Sequence, residues 1–299
     1  MPNLTVKFNI GGQSFSVDLD EKEQSAYARR SYRTFLKRAP LGALKEKIDK
    51  AKTVRELEDI TRAYDLVSAV DYDDFSFPAA KALSYSLACV LYDFPYARGI
   101  MDYVGSFSSF KFLAMDLMDG KKETKIGLSE FLDKNELKTL GRILLKTALD
   151  MIGDISRGLT WAYFIDNAGL FQCVIIDEED VKESKIASLQ KDILACERSL
   201  FHPKGCKGLE SVYFHELGHA LDKYTGLSSG VALDKLFKSL SKEEIKKGLS
   251  EYASTSPEEF VAEAMSEHYS SISPRPLAEK VFALMKERYE FAIKKGPRI

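Results

Sequence analysis

The chain has 299 residues, 45% of them hydrophobic and 29% charged, which is enough apolar material for a sizeable core on an ordinary soluble surface. Its 43 lysines and arginines nearly balance 45 aspartates and glutamates, and a formal net charge of -2 excludes bulk attraction to nucleic acid or an anionic membrane. The four cysteines, Cys89, Cys173, Cys196 and Cys206, form no C-x-x-C pair; they predict mostly buried free thiols in a reducing compartment.

The opening "MPNLTVKFNIGG" has no charged start followed by an apolar run, and no apolar stretch approaches the roughly 20 residues that span a bilayer. The expected location is therefore the cytoplasm. Leu4, Val6, Phe8 and Ile10 alternate with polar residues, Gly11-Gly12 follows, and Phe15, Val17 and Leu19 alternate again. A Gly-Gly turn would pair Phe8 with Phe15, Val6 with Val17 and Leu4 with Leu19, all on one face of a hairpin. Residues 21–70 read as charged and helical, broken at Pro40-Leu41-Gly42. Hairpin and helices make a small N-terminal module over residues 1–70, and "DYDDFSFP" (71–78) reads as its junction with a main domain over 71–299.

Residues 79–92 are apolar enough for a buried helix. Residues 135–153 carry Leu137, Leu140, Ile143, Leu144, Leu149 and Ile152 at helical spacing, with Asn135 as a cap. The texture then changes: residues 159–181 are rich in aromatic and β-branched side chains, with a turn at Asn167-Ala168-Gly169, and predict one or two strands. Helical pattern resumes over 185–200, "FHPKGCKG" (201–208) is a loop, and a further helix stops at Gly226. The last helix covers about 275–294 and ends at Gly296-Pro297. The fold class is α+β, helix-rich, with a small mixed sheet.

The chemistry concentrates in "SVYFHELGHALDKY" (211–224), where His215, Glu216 and His219 fit H-E-x-x-H. Positions one helical turn apart share a face, so both imidazoles can reach one metal about 2.0–2.1 Å from each nitrogen. Glu216 sits beside that face, close enough to hold a water without being a ligand. Gly218 lacks a side chain, so something can approach the helix closely there. Two histidines satisfied by local hydrogen bonds are the plain alternative.

A third ligand decides between them. The extension H-E-x-x-H-x-x-G-x-x-H fails, because Asp222 and Thr225 stand where it needs glycine and histidine. A later glutamate is the other solution, and "SEYASTSPEEFVAEAMSEHYS" (250–270) supplies candidates. Ser256 can cap a helix with Pro257 in its first turn, which puts Glu259 and Glu263 on one face. Like charges at that spacing repel, and a cation or a cation-bound histidine would offset the repulsion. Equally, Glu259 can close a capping box by accepting from Ser256 N–H. His268, nine residues past Glu259, lies off that face and competes weakly as a ligand. Cys206 near His202 lacks the orienting third group of a nucleophilic pair.

"HELGH" followed by "YASTSPEEFVAEA" resembles the catalytic domain of anthrax lethal factor and its relatives in the gluzincin branch of zinc metallopeptidases. Tyr252 precedes Glu259 by seven residues, as in that family, and Val261 stands where it has phenylalanine. "FHPKGCKGLESVYFHELGHALD" is also similar to zincin-like domains of bacteriophage and prophage head-morphogenesis regions. Residues 1–70 carry no resemblance.

The resemblance implies a zincin-like fold and Zn2+ held by His215, His219 and Glu259. It implies Glu216 as catalytic base, Tyr252 as transition-state donor and Glu263 as the carboxylate orienting a histidine ligand. Read from the sequence alone, Asp222 is a candidate carboxylate behind His219 or else a helix-surface acid, and His202 can line the site, though a structural or surface histidine is the plainer reading. The strand near 170–176 is expected to edge the cleft and pair with an extended substrate, by analogy with the family. The implied activity is zinc-dependent hydrolysis of a protein or peptide, with phage structural proteins as a partner class and neither nucleic acid nor membrane involved. A non-enzymatic phage structural or interaction protein and a secreted effector protease are the alternatives.

Overall fold

Alternation in the first twenty residues produces the expected pairing. In the computed structural model β1 (Leu4–Ile10) and β2 (Gln13–Leu19) run antiparallel, with Leu4 opposite Leu19, Val6 opposite Val17 and Phe8 opposite Phe15. The structure describes residues 4–10, 13–19, 41–64, 66–67, 69–95, 97, 101–119, 134–155, 162–166 and 172–295. The Gly11-Gly12 and Asn167-Ala168-Gly169 turns, residues 20–40 and the Gly296-Pro297 stop lie outside these residues.

Helices α1 (Leu41–Lys50) and α2 (Val54–Ala63) follow, then strand β3 (Ala69–Asp71) and α3 (Phe77–Asp93). Residues 69–71, read as the end of a helical stretch and the start of a junction, instead form a strand inside the main sheet. Leu44, Ile48, Leu57 and Leu66 join Phe214, Leu217 and Phe260 in one core, so a cut at residue 70 would pass through it. The helix α3 is rich in alanine and serine; Ala79, Ala80, Ser84, Ser86 and Ala88 are buried, which lets neighbouring elements come close all round it.

Next come β4 (Tyr103–Ser106), α4 (Phe107–Met118), α5 (Lys134–Ile155), β5 (Ala162–Asp166) and β6 (Gln172–Ile176). The expected cap Asn135 falls within the first turn of α5 rather than before it. The sheet order is β3-β4-β6-β5, with β3, β4 and β6 parallel and β5 antiparallel to β6. The strand β6 is therefore interior, and β5 is the edge strand beside it; the edge expected near 170–176 belongs to residues 162–166. The reason is the apolar run Cys173-Val174-Ile175-Ile176, every residue of which is buried. Val174 and Ile176 face the main core, while Cys173 and Ile175 face a second cluster with Phe110, Leu113, Leu140 and Leu144 from α4 and α5. A strand covered on both faces reads as a continuous apolar stretch, not as alternation.

After the short α6 (Glu178–Val181) come α7 (Ile186–Ser199), α8 (Leu209–Thr225), α9 (Val231–Lys238), α10 (Lys242–Gly248), a 3-10 turn (Tyr252–Ser254), α11 (Pro257–Ser270) and α12 (Pro276–Lys295). The α8 helix stops at Gly226, whose φ of 62° is the left-handed conformation glycine adopts freely. Cys89, Cys173 and Cys206 are buried free thiols and Cys196 is partly covered. Among the described residues no helix is long and apolar enough to cross a membrane.

Candidate metal centre

The site forms where α8 crosses α11. A Cβ built on Gly218 would lie 2.9 Å from Ala262 Cα and 3.2 Å from Met265 Cβ, so only glycine admits this approach. His215 and His219 flank Gly218 on one helix; Glu259 and Glu263 flank Ala262 on the other. The crossing thus faces two imidazoles with two carboxylates. Ser256 Oγ accepts Glu259 N–H at 3.2 Å and caps α11. The Glu259 carboxylate does not complete the capping box but turns toward the histidines.

Three atoms converge there. His215 Nε2 and His219 Nε2 are 3.1 Å apart, and Glu259 Oε2 lies 3.1 Å from the first and 3.4 Å from the second. Three ligands of a tetrahedral zinc, each about 2.0–2.1 Å away, stand roughly 3.3–3.4 Å from one another. Despite its short distances, Glu259 Oε2 is buried and makes no hydrogen bond of acceptable geometry. The two Nε2 atoms lie within hydrogen-bond reach of each other, while Glu259 Oε2 has no such partner; a cation among the three would satisfy them all.

Electrostatics agree with the geometry. Burial opposes a charged imidazole at His215, yet the close carboxylates of Glu259 and Glu263 outweigh it and hold the pKa well above the ordinary value. Burial also opposes the Glu259 carboxylate, but the two histidines hold its pKa far below the usual range. This pocket draws positive charge inward.

Glu263, 1% exposed, accepts from His215 Nδ1 at 2.8 Å through Oε1. Donation from Nδ1 leaves the Nε2 lone pair facing the convergence point. Glu216 is buried, and burial pushes its carboxyl up, with His215, His219 and the backbone N–H of Phe164 pulling it down. Tyr252 stacks on His215 with ring centroids 5.8 Å apart, and its hydroxyl interacts with Glu259. Burial, then the Glu259 charge, push that phenol above its ordinary value, so it stays a donor.

No family model, curated protein or solved structure matches this chain.

The remaining sequence candidates separate. His202 Nδ1 lies 3.0 and 3.2 Å from the two oxygens of Glu263, which brings it to the centre. Asp222, expected behind His219, instead accepts Ser228 N–H at 2.6 Å and orders the turn after α8; His219 feels it only as a nearby charge. His268 pairs with Glu279 at 2.6 Å and stacks on Phe282, away from the convergence point. The Cys206 thiol contacts Ser266 Oγ at 3.3 Å, and burial pushes its pKa far up, so it offers no thiolate.

Three contributors escaped the sequence reading. Phe164 on the edge strand β5 gives its N–H to Glu216 and lays its ring against His219, centroids 6.5 Å apart. Ser250 donates to Glu263 Oε2 at 2.7 Å. Leu200 adopts φ 61° just before His202. No local spacing rule links residues 164 and 216, or 202 and 263. A second group, Glu58, Asp71 and Asp73, also gathers carboxylates. There Glu58 already accepts Tyr72 N–H at 2.7 Å and pairs with Arg62 at 3.0 Å, so its charge is matched.

Proposed function

We propose that the chain is a zinc-dependent metallopeptidase with a zincin-like fold. The observation that carries the reading is the triangle of His215 Nε2, His219 Nε2 and Glu259 Oε2, with its buried oxygen lacking a hydrogen bond. The fold reading is supported by the order of parts: a small sheet, the H-E-x-x-H helix packed on it, then the glutamate helix across it.

His215, His219 and Glu259 would hold the zinc, a set of two imidazoles and one carboxylate that leaves a fourth position for water or substrate. Bound there, zinc supplies a Lewis acid and brings the pKa of water to about 7. Glu216, fixed by Phe164 N–H and shielded from solvent, takes the proton of the attacking water and returns it to the leaving amine. The Tyr252 hydroxyl, already beside Glu259, donates to the carbonyl oxygen as negative charge grows on it; one such donor is worth about 10²–10³ in rate. Glu263 holds the His215 tautomer. The edge strand β5 lies next to Glu216, where an extended peptide can add as a further strand. A protein or peptide is the substrate class.

Metal analysis and a peptide-library digest test this reading. Purified protein is expected to carry about one zinc per chain, lost in Glu259→Ala. Wild type is expected to cleave, and Glu216→Ala to retain zinc but not cleavage. Zinc retained in full by Glu259→Ala would remove the ligand assignment. Bound zinc with no cleavage by wild type across the library would favour a structural protein.

A further inference from the structure

We infer that His202 is a positioning residue of the metal centre, acting through the Glu263 carboxylate that it shares with the ligand His215. This rests on the zinc reading above and adds a residue to it that lies outside both motifs.

The first observation is how firmly the chain is held at this point. Leu200 has φ 61°, the one positive-φ residue other than glycine among those described. Its side chain makes that conformation unfavourable, so surrounding contacts must impose it. They are present: Leu200 C=O accepts Glu251 N–H at 2.8 Å, and Phe201 C=O accepts Tyr252 N–H at 3.1 Å. On the other side Phe201 N–H and His202 N–H both donate to Cys196 C=O, at 3.0 and 3.2 Å. The loop is thereby tied to the end of α7 and to the turn bearing Tyr252.

The second observation is what the imidazole does once there. Rotation of a carboxylate about its last torsion is broad unless donors fix it. His215 Nδ1 pins Oε1 at 2.8 Å, and Ser250 Oγ pins Oε2 at 2.7 Å. Ser250 Oγ accepts Ala253 N–H at 3.0 Å, which leaves its own proton for Glu263. His202 Nδ1 alone spans both oxygens, at 3.0 and 3.2 Å. It therefore reinforces the carboxylate plane that those two donors hold, and that plane sets the direction in which His215 Nδ1–H is held. The His215 ring orientation aims Nε2 at the convergence point, so a donor on His202 reaches the metal through two contacts.

The third observation separates this from filling space. His202 meets Tyr252 and His215 edge-on, with centroids 5.7 and 6.3 Å away, so its ring also packs. Donor and ring make different predictions. His202→Asn keeps an N–H near the Nδ1 position and loses the ring; His202→Phe keeps the ring and loses the donor.

The test is the zinc dissociation constant of purified full-length protein, measured by competition with a chromophoric chelator, for wild type and both variants. Thermal unfolding of each reports its fold. His202→Phe is expected to bind zinc about 10–100-fold more weakly, the usual effect of removing a group behind a metal ligand, and His202→Asn to stay within about threefold of wild type. If His202→Phe does not fold, His202→Gln takes its place, since its amide sits too far out to reproduce the Nδ1 donor; the same weakening is expected. The inference is overturned if the donor-less variant binds like wild type, or if His202→Asn is as weak as the donor-less variant. Wild type that binds no zinc would overturn the metal centre itself, and this inference with it.

Discussion

Replacing Gly218 with alanine tests whether the α8–α11 crossing builds the metal centre. The added Cβ would stand 2.9 Å from Ala262 Cα, against an ordinary contact of 3.4 Å or more, so the helices must separate by about 0.5 Å. The obstructing atom is backbone and cannot rotate aside. Overpacking of this kind costs about 1–3 kcal/mol, and alanine in place of helical glycine returns about 0.5–1 kcal/mol. Net destabilisation is thus modest, about 0–2.5 kcal/mol, and the variant is expected to fold. The proposed zinc site is far less forgiving. Glu259 rides on the displaced helix, and metal–ligand distances tolerate only about 0.2 Å. Zinc affinity is therefore expected to fall on the order of tenfold or more while the melting temperature falls by a few degrees. Chelator competition and thermal unfolding read the two effects on one sample. A folded Gly218→Ala protein that binds zinc within about threefold of wild type would refute the argument that this approach sets the ligand triangle.

Other sites give sharp expectations. Glu267, 0% exposed, takes the Arg275 backbone N–H, Nε and Nη2 at 2.7–2.8 Å. Arg275→Met strands that carboxylate and is expected to cost about 3–5 kcal/mol in urea unfolding; a loss under about 1 kcal/mol would contradict it. The Asp102 carboxyl is raised to about 7 by burial, with Gln172 N–H pulling it down. The unfolded chain releases that proton near pH 4, so a stability penalty is absent below about pH 4, grows with pH and is complete above about 7. Asp102→Asn keeps an acceptor for Gln172 N–H; it is expected to exceed wild type by about 1–3 kcal/mol at pH 8 and to match it at pH 4. The residue keeps some exposure, hence the lower range. An equal difference at both pH values would show that ionisation is not the cause. Leu200→Gly is expected to hold stability or gain up to about 1 kcal/mol by relieving φ 61°, and Leu200→Val to lose it; equal unfolding midpoints would refute strain there.

Much of the local structure was legible because it depends on neighbours within a turn or a two-residue repeat. The hairpin register follows from alternation around Gly11-Gly12, and the structure pairs the same residues. The buried helix read over 79–92 forms over 77–93, and the helix carrying His215 ends at Gly226 as its composition implies. Strands β3 and β4 were missed because three and four residues, "AVD" and "YVGS", are too short for a period to show. The edge strand was misplaced for a different reason: a strand's rank in a sheet depends on which distant strand pairs with it, and β6 pairs on both sides.

The candidate site divides in the same way. Spacing alone put His215, Glu216 and His219 on one helix and Glu259 and Glu263 on another, because helical geometry relates residues three and four apart. It also left Glu259 undecided between cap and ligand. Tertiary packing turned the carboxylate toward the imidazoles, since Gly218 lets α11 approach until the two meet. Asp222 went to Ser228, His202 went to Glu263, and Phe164 reached Glu216 across the sheet edge. A side chain's local class fixes what it can donate or accept. Which partner receives it is set where distant segments are pressed together by a shared core, and pairs such as 202 with 263 have no period by which to be found.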